Sequence, residues 1–177
     1  MALTLVRHTR PAAAEGRCYG GTDLAPGPDL AESAAAILRR LDRVDAIVAS
    51  PLLRCRRLAA LLGACLRVPV RLDADWREMD FGGWEGLPWG AVPRHELDAW
   101  AADLMHARPH GGESVAMLLA RTRRALRRAR APGRRTLAVT HAGPIRAALF
   151  ATTGRTDAWQ LPVAFGEIVR IDAVRAR

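Results

Sequence analysis

In the stretch ALTLVRHTRP, residues 2–11, a series of apolar and β-branched side chains is followed directly by an arginine and a histidine. A short, uninterrupted apolar run with polar residues beyond it is typical of a buried strand, and we predict one over residues 2–6. Arg7 and His8 should therefore lie at the carboxyl end of that strand. The surroundings of this end are set by the remaining elements of the chain.

Short apolar strands and amphipathic helices alternate along most of the sequence. Further strands are predicted over residues 46–49, 68–72, 136–139 and 167–171, and residues 12–29 are predicted to be a loop. Helices are predicted from residue 30, from Ser50 as N-cap with Pro51 at the first helical position, and over residues 93–105, 113–130 and 144–151. Cys65 is predicted on the inner face of the second helix, with Leu58, Leu61 and Leu62.

The alternation predicts the fold class: an α/β, three-layer α/β/α sandwich with a mostly parallel central sheet. We expect a single domain over residues 1–177, in which the Trp-, Gly- and Pro-rich residues 73–111 form an inserted lid region.

The charge balance is strongly basic. The chain of 177 residues has a net charge of +9, and all 27 basic residues are arginine. Such a balance suits nucleic acid or an anionic substrate. No aromatic-interleaved or groove-reading motif accompanies it, and we interpret the densest run, RTRRALRRAR at 121–130, as a solvated helix face. We expect no nucleic-acid partner, and keep a non-catalytic basic nucleic-acid-binding domain as the alternative from another class.

Cysteine usage and hydropathy indicate the class of protein. No apolar run approaches the ~20 residues of a membrane span, and Arg7 and His8 interrupt the first apolar run too early for a signal peptide. Cys18, Cys55 and Cys65 form no CxxC pair, so we predict reduced thiols in a cytoplasmic protein without a metal or cofactor. Nothing in the sequence indicates an oligomeric state.

Ligands of parallel α/β sheets bind at the carboxyl ends of the strands. Arg7 and His8 follow the first strand, Arg54 lies one turn into the helix after the second, and His141 follows the fourth. Arginine forks match phosphate oxygens, and a neutral histidine can attack phosphorus. A second, protonated histidine can stabilise the transferring phosphoryl group. These residues predict a phosphoryl-transfer site for a phosphorylated small molecule.

A phosphomonoester also needs a proton donor for its leaving oxygen. The stretch WREMDFGGWEG, residues 76–86, supplies three carboxylates: Glu78, Asp80 and Glu85. Their spacing alone does not choose among them.

Five segments occur in an order that resembles the histidine phosphatase superfamily, also called phosphoglycerate mutase-like: LVRHT, SPLLR, EMDFGGWEG, HGGES and VTHAGPIR. The resemblance implies metal-independent hydrolysis through a phosphohistidine. It implies that His8 is the nucleophile, that Arg7, Arg54 and His141 form the phosphate pocket, and that Glu78 is the general acid.

Two further features are similar to the α-ribazole phosphatase branch of that family. Thr9 stands where a glycine usually follows the nucleophilic histidine, and a CYG segment follows within GRCYGGTDL, residues 16–24. This likeness implies α-ribazole 5′-phosphate as the substrate, in cobalamin biosynthesis, and makes Thr9 and Tyr19 candidate substrate contacts. The alternatives are a general sugar or nucleotide phosphatase, and simple loop packing for Tyr19. Of Trp76, Trp84, Trp89 and Trp100, one or two are candidates for an apolar wall against an aromatic leaving group.

Overall fold

Five strands form one sheet in the computed structural model, which describes residues 3–12, 15–130 and 133–171. They are β1 (Leu3–Arg7), β2 (Ala46–Ala49), β3 (Val70–Leu72), β4 (Thr136–Thr140) and β5 (Ile168–Ile171). The order across the sheet is β3-β2-β4-β1-β5; β1 to β4 run parallel, and β5 pairs antiparallel with β1. The mostly parallel sheet is confirmed. Residue 2, where the first strand was expected to begin, and residues 13 and 14 of the predicted loop lie outside the described residues.

Helices cover both faces of the sheet. They are α1 (Leu30–Leu38), α2 (Leu53–Leu66), α3 (Arg94–Ala102), α4 (Val115–Ala129) and α5 (Ala142–Thr153). Strand β4 shows why two layers form: Leu137 and Val139 pack with α1 and α2, whereas Ala138 between them packs with α4 and α5. The three-layer sandwich is confirmed. None of the described helices is long and apolar enough to cross a membrane.

The predicted start of α2 is wrong. Its N-cap is Leu52 rather than Ser50, so Pro51 lies outside the helix. The Ser50 hydroxyl instead accepts from Leu52 N at 3.3 Å, and the amide of Leu53 donates to the Asp23 carboxylate at 2.5 Å. An acidic side chain from a distant loop therefore caps this helix, a tertiary contact that the local sequence cannot reveal.

Two predicted helix faces also need correction. Cys65 is exposed, whereas Cys55 is buried with Leu58 and Leu62. At 100° per residue, Cys65 lies about 80° around α2 from Cys55, at the edge of the inner face. The arginine run is only in part a solvated face, because its first member, Arg121, is 8 % exposed.

Residues 73–111 depart from the regular alternation. They contain α3 and three short 3-10 helices, Ala74–Trp76, Gly82–Trp84 and Trp89–Ala91. Trp76 is buried in the core beside the sheet, Trp84 is buried in a small cluster with Cys18 and Val92, and Trp89 is 41 % exposed. A lid function for this segment, and the single domain, stay predictions.

Candidate active site

His8 follows the last residue of β1 and is only 2 % exposed. Its Nδ1 lies 2.7 Å from the carbonyl oxygen of Thr9. A carbonyl can only accept, so Nδ1 carries the proton and Nε2 keeps its lone pair. Burial, with the charges of Arg54 and Arg7, lowers the pKa of His8 to about 3. The ring is thus a neutral imidazole with Nε2 available to attack an electrophile.

His141 faces His8 from the end of β4, where it is the N-cap of α5. The two ring centroids are 5.0 Å apart, at an interplanar angle of 65°. Its Nε2 lies 2.8 Å from Ser50 Oγ and 3.4 Å from Cys55 Sγ. Burial, followed by the charges of His8 and Arg54, lowers the pKa of His141 well below its usual value. A phosphoryl dianion beside the ring would act the other way and favour the imidazolium.

Arg54 is completely buried and is held by a loop rather than by a carboxylate. Its Nη1 donates to the carbonyl of Thr22 and its Nη2 to that of Gly20, each at 2.7 Å. Its buried Nε has no hydrogen-bond partner within the described chain. An anion is the natural partner for such an unsatisfied charged donor.

Arg7 is fixed in a comparable way by the turn before β5. Its Nη1 donates to Val163 O at 2.6 Å, and its guanidinium carbon lies 3.9 Å from the centre of the Phe165 ring. Its buried Nε also has no partner among the described residues. The Phe165 ring centre is 5.6 Å from that of His8, so this aromatic side chain adjoins both Arg7 and His8. Nothing local in the sequence pointed to Phe165.

Tyr19 and Thr9 lie in the same cluster. The guanidinium carbon of Arg54 is 5.4 Å from the centre of the Tyr19 ring. Burial raises the pKa of Tyr19 against the opposing charges of Arg7 and Arg54, so its hydroxyl stays protonated. Thr9 is 1 % exposed and contacts His8 through its carbonyl. Contact of either side chain with substrate stays a prediction.

Glu78 reaches the N-terminus of α5. Its Oε2 accepts from Gly143 N at 3.2 Å, and its Oε1 accepts from Met79 N at 3.0 Å. A Cβ atom on Gly143 would overlap Glu78 Oε1, so this approach requires a glycine. The carboxyl group is therefore beside the helix that His141 begins. Asp80, by contrast, is exposed and accepts from Gly82 N at 2.8 Å.

Glu85 is occupied elsewhere, although the sequence left it open as a proton donor. Its carboxylate accepts from the amides of Gly20 (2.9 Å), Gly21 (2.8 Å), Thr22 (3.1 Å) and Phe81 (3.0 Å), and from the Thr22 hydroxyl. Burial acts to raise the pKa of Glu85, but these hydrogen bonds lower it overall. Glu85 thus anchors the loop whose carbonyls hold Arg54.

Arg121 is a site-supporting residue that the sequence interpretation missed. Its Nε and Nη2 pair with Glu113 at 2.7 and 2.8 Å, and its Nη2 also donates to Glu78 O at 2.9 Å. Its Nη1 donates to Arg77 O at 2.5 Å. It therefore fixes the backbone that carries Glu78. The signal was available: Arg121 falls at helical spacing from the inward residues Leu118 and Ala125.

Together these residues can bind a tetrahedral oxyanion and supply a nitrogen nucleophile with a neighbouring carboxyl group. The two histidines and two arginines, predicted from three separate places in the chain, do lie together. Within residues 3–12, 15–130 and 133–171, no group of three or more His, Cys, Asp or Glu residues is arranged to hold a metal.

Acidification is expected to destabilise the protein through His8. Its pKa is about 3 in the folded chain against an ordinary 6.5, so below pH 6.5 the unfolded chain binds a proton that the folded chain excludes. The free energy of unfolding should fall as the pH drops from 6.5 towards 3, by up to about 1.4 kcal/mol per pH unit for this residue. Urea unfolding at several pH values gives the free energy of unfolding as a function of pH. This free energy should fall less steeply with decreasing pH in His8→Asn than in wild type. His95→Asn is the control, because His95 is exposed on α3. If His8→Asn showed the same pH dependence of the free energy of unfolding as wild type, the lowered pKa of His8 would be contradicted.

Gly143→Ala is expected to lower kcat/KM by about 10- to 100-fold, because the new methyl group displaces the Glu78 carboxyl group. The helix itself should persist, since alanine is a better helix former than glycine. Gly90→Ala is the matched control, as a Cβ there meets nothing within 4 Å. Phosphatase assays with far-UV circular dichroism check this. Full activity in folded Gly143→Ala would show that the position of Glu78 is unimportant.

Comparison with known proteins identifies the family of this chain. Residues 3–176 match the family described as Histidine phosphatase superfamily (branch 1). The chain is 33% identical over 156 residues to the Bifunctional protein Rv2228c of Mycobacterium tuberculosis, an alignment covering 81% of this chain and 42% of that protein. The chain thus spans less than half the length of this curated relative.

Solved structures cover nearly the whole chain. The protein TTHB049 from Thermus thermophilus aligns with a TM-score of 0.78 and 32% identity, over 97% of this chain and 94% of that one. The mycobacterial glucosyl-3-phosphoglycerate phosphatase Rv2419c aligns with a TM-score of 0.79 and 26% identity, over 97% and 89% of the two chains.

Proposed function

Because this chain belongs to the histidine phosphatase superfamily (branch 1), we propose that it is a metal-independent phosphatase and hydrolyses phosphomonoesters through a phosphohistidine on His8. Nε2 of His8 attacks phosphorus in line with the ester oxygen. Arg7, Arg54 and His141 hold the non-bridging oxygens as charge accumulates on them. The observation that carries this proposal is the hydrogen bond from Nδ1 to Thr9 O, which leaves Nε2 as the basic nitrogen.

Glu78 gives up a proton in the first step of the reaction and regains one in the second. In the first, the Nε2–P bond forms and the P–O bond to the alcohol breaks, and the leaving oxygen takes the proton of Glu78. In the second, the Glu78 carboxylate takes a proton from water, the new O–P bond forms and the P–N bond breaks. Inorganic phosphate leaves and both side chains regain their starting states.

For the substrate, the proposal is α-ribazole 5′-phosphate, in cobalamin biosynthesis. Thr9 after the nucleophile and the Cys18-Tyr19-Gly20 segment support it. A cytoplasmic site of action, supported by the three free cysteines, is part of the same proposal. A general sugar or nucleotide phosphatase is the second candidate, favoured by the structural likeness to a phosphatase named for glucosyl-3-phosphoglycerate.

A substrate panel tests the proposal. We expect kcat/KM for α-ribazole 5′-phosphate to exceed that for phosphoserine, glucose 6-phosphate and AMP by at least about tenfold, since discrimination by one apolar contact region is of that order. Equal values across the panel would favour the general phosphatase. No hydrolysis of any ester, with salt-dependent binding of DNA or RNA, would support the basic nucleic-acid-binding domain instead.

A further inference from the structure

A small apolar cleft adjoins Glu78 between segment 73–111 and α5. Its volume is about 120 Å³. Its walls include three partly buried aromatic side chains, Phe81, Trp100 and Trp159, together with Leu104. Glu78, Gly143 and Arg146 also line it. Of the four tryptophans considered from the sequence, Trp100 alone lines this cleft, and Trp159 was not among them.

The cleft begins where a leaving group must lie. The proton donor contacts the oxygen that departs, so the carbon skeleton of the alcohol extends from Glu78. A larger cavity of about 550 Å³ also reaches Glu78, but Asp80, Glu85 and Glu113 line it, and their carboxylates suit water better than an apolar group. A third cavity, of about 510 Å³, is lined by Arg10, Tyr19 and Phe165, and Glu78 is not among its lining residues.

The size and walls of the cleft select the chemistry of its occupant. A cavity of about 150 Å³ lined by apolar side chains holds benzene, so about 120 Å³ suits roughly one ring. Aromatic walls attract a flat ring by stacking and edge-to-face contact. A sugar that links the phosphate to such a ring must keep its hydroxyls outside the cleft, because they would find few partners on Phe81, Trp100 and Leu104.

Arg146 sets the charge that the cleft accepts. Its Nε donates to Leu161 O at 2.9 Å, which holds the guanidinium in place. A cationic ring would be repelled, whereas a neutral ring can contact a guanidinium favourably through its face. We propose that this cleft is the leaving-group subsite and binds one neutral, flat aromatic ring carried by the departing alcohol. The inference rests on the proposed phosphomonoesterase function.

Benzyl phosphate and ethyl phosphate test it, because both release a primary alcohol and only one carries a ring. Trp100→Leu is expected to lower kcat/KM for benzyl phosphate about tenfold and for ethyl phosphate less than about twofold. Trp159→Leu, which changes another wall of the cleft, should have the same selective effect and decides the matter if Trp100→Leu folds poorly. Trp89→Leu is the matched control: it lies in the same segment, is 41 % exposed and does not line the cleft.

Two further measurements separate the cleft from the phosphate pocket. Inhibition by inorganic phosphate should be unchanged in Trp100→Leu, as should the rate of phosphohistidine hydrolysis after charging with phosphoramidate, whose leaving group is ammonia. Equal losses on both esters, or no preference of the wild type for benzyl phosphate, would overturn the inference alone. A wild type that hydrolyses neither ester and forms no phosphohistidine would overturn the proposed function instead.

Discussion

His8→Ala is expected to lower kcat/KM by about 10⁴-fold or more for every phosphomonoester, because no other group among the residues that the structure describes is placed to attack phosphorus. His141 cannot take over the attack. Its Nε2 is engaged by the Ser50 hydroxyl at 2.8 Å and lies 3.4 Å from the Cys55 thiol. The loss should therefore be independent of the leaving group, since the nitrogen that forms the new bond is itself removed.

Rapid acid-free quenching with radiolabelled substrate gives the direct measurement. Wild type should incorporate acid-labile, base-stable phosphate, and His8→Ala should incorporate none. His95→Ala is the matched control, since His95 is exposed on α3 and should leave both turnover and labelling intact. Labelled His8→Ala, or turnover within about tenfold of wild type, would assign the nucleophile elsewhere.

The parts of this site that the sequence predicts are those set by strand ends. Buried strands such as β1 and β4 are continuous apolar runs, and parallel strands must end at the same edge of a sheet. That rule alone brings Arg7, His8 and His141 together. Arg54 follows from its predicted place near the start of α2, although it is the second residue of that helix rather than one turn into it.

The parts that could not be predicted are those made by loops from distant segments. Glu85 lies 65 positions after Gly20, and only the folded chain brings its carboxylate to that loop. Likewise, the amide of Leu53 is capped by the Asp23 carboxylate rather than by Ser50. The Ser50 hydroxyl contacts His141 Nε2 instead. A carboxylate in a sequence has no visible partner, so a proton donor and a loop anchor look alike until the donors around each are known.

The second large effect on activity is expected for substitution of Glu78, and it should distinguish Glu78 from Glu85. Glu78→Gln should lower kcat/KM for alkyl phosphates by about 10²- to 10⁴-fold, because an amide cannot protonate the leaving alkoxide. With p-nitrophenyl phosphate, whose leaving group needs little protonation, the first step should be nearly preserved. The second step still lacks its base, so a burst of p-nitrophenol should be followed by accumulated phosphohistidine.

Glu85→Gln should behave differently because its carboxylate positions Arg54 through the loop carbonyls of Gly20 and Thr22. An amide nitrogen cannot accept the hydrogen bonds that one carboxylate oxygen accepts, so the loop loosens and phosphate is held less well. We expect KM and the inhibition constant for inorganic phosphate to rise by about tenfold for all leaving groups, with no burst. Since only the proton donor is sensitive to the pKa of the leaving alcohol, a burst in Glu85→Gln and uniform losses in Glu78→Gln would exchange the two roles.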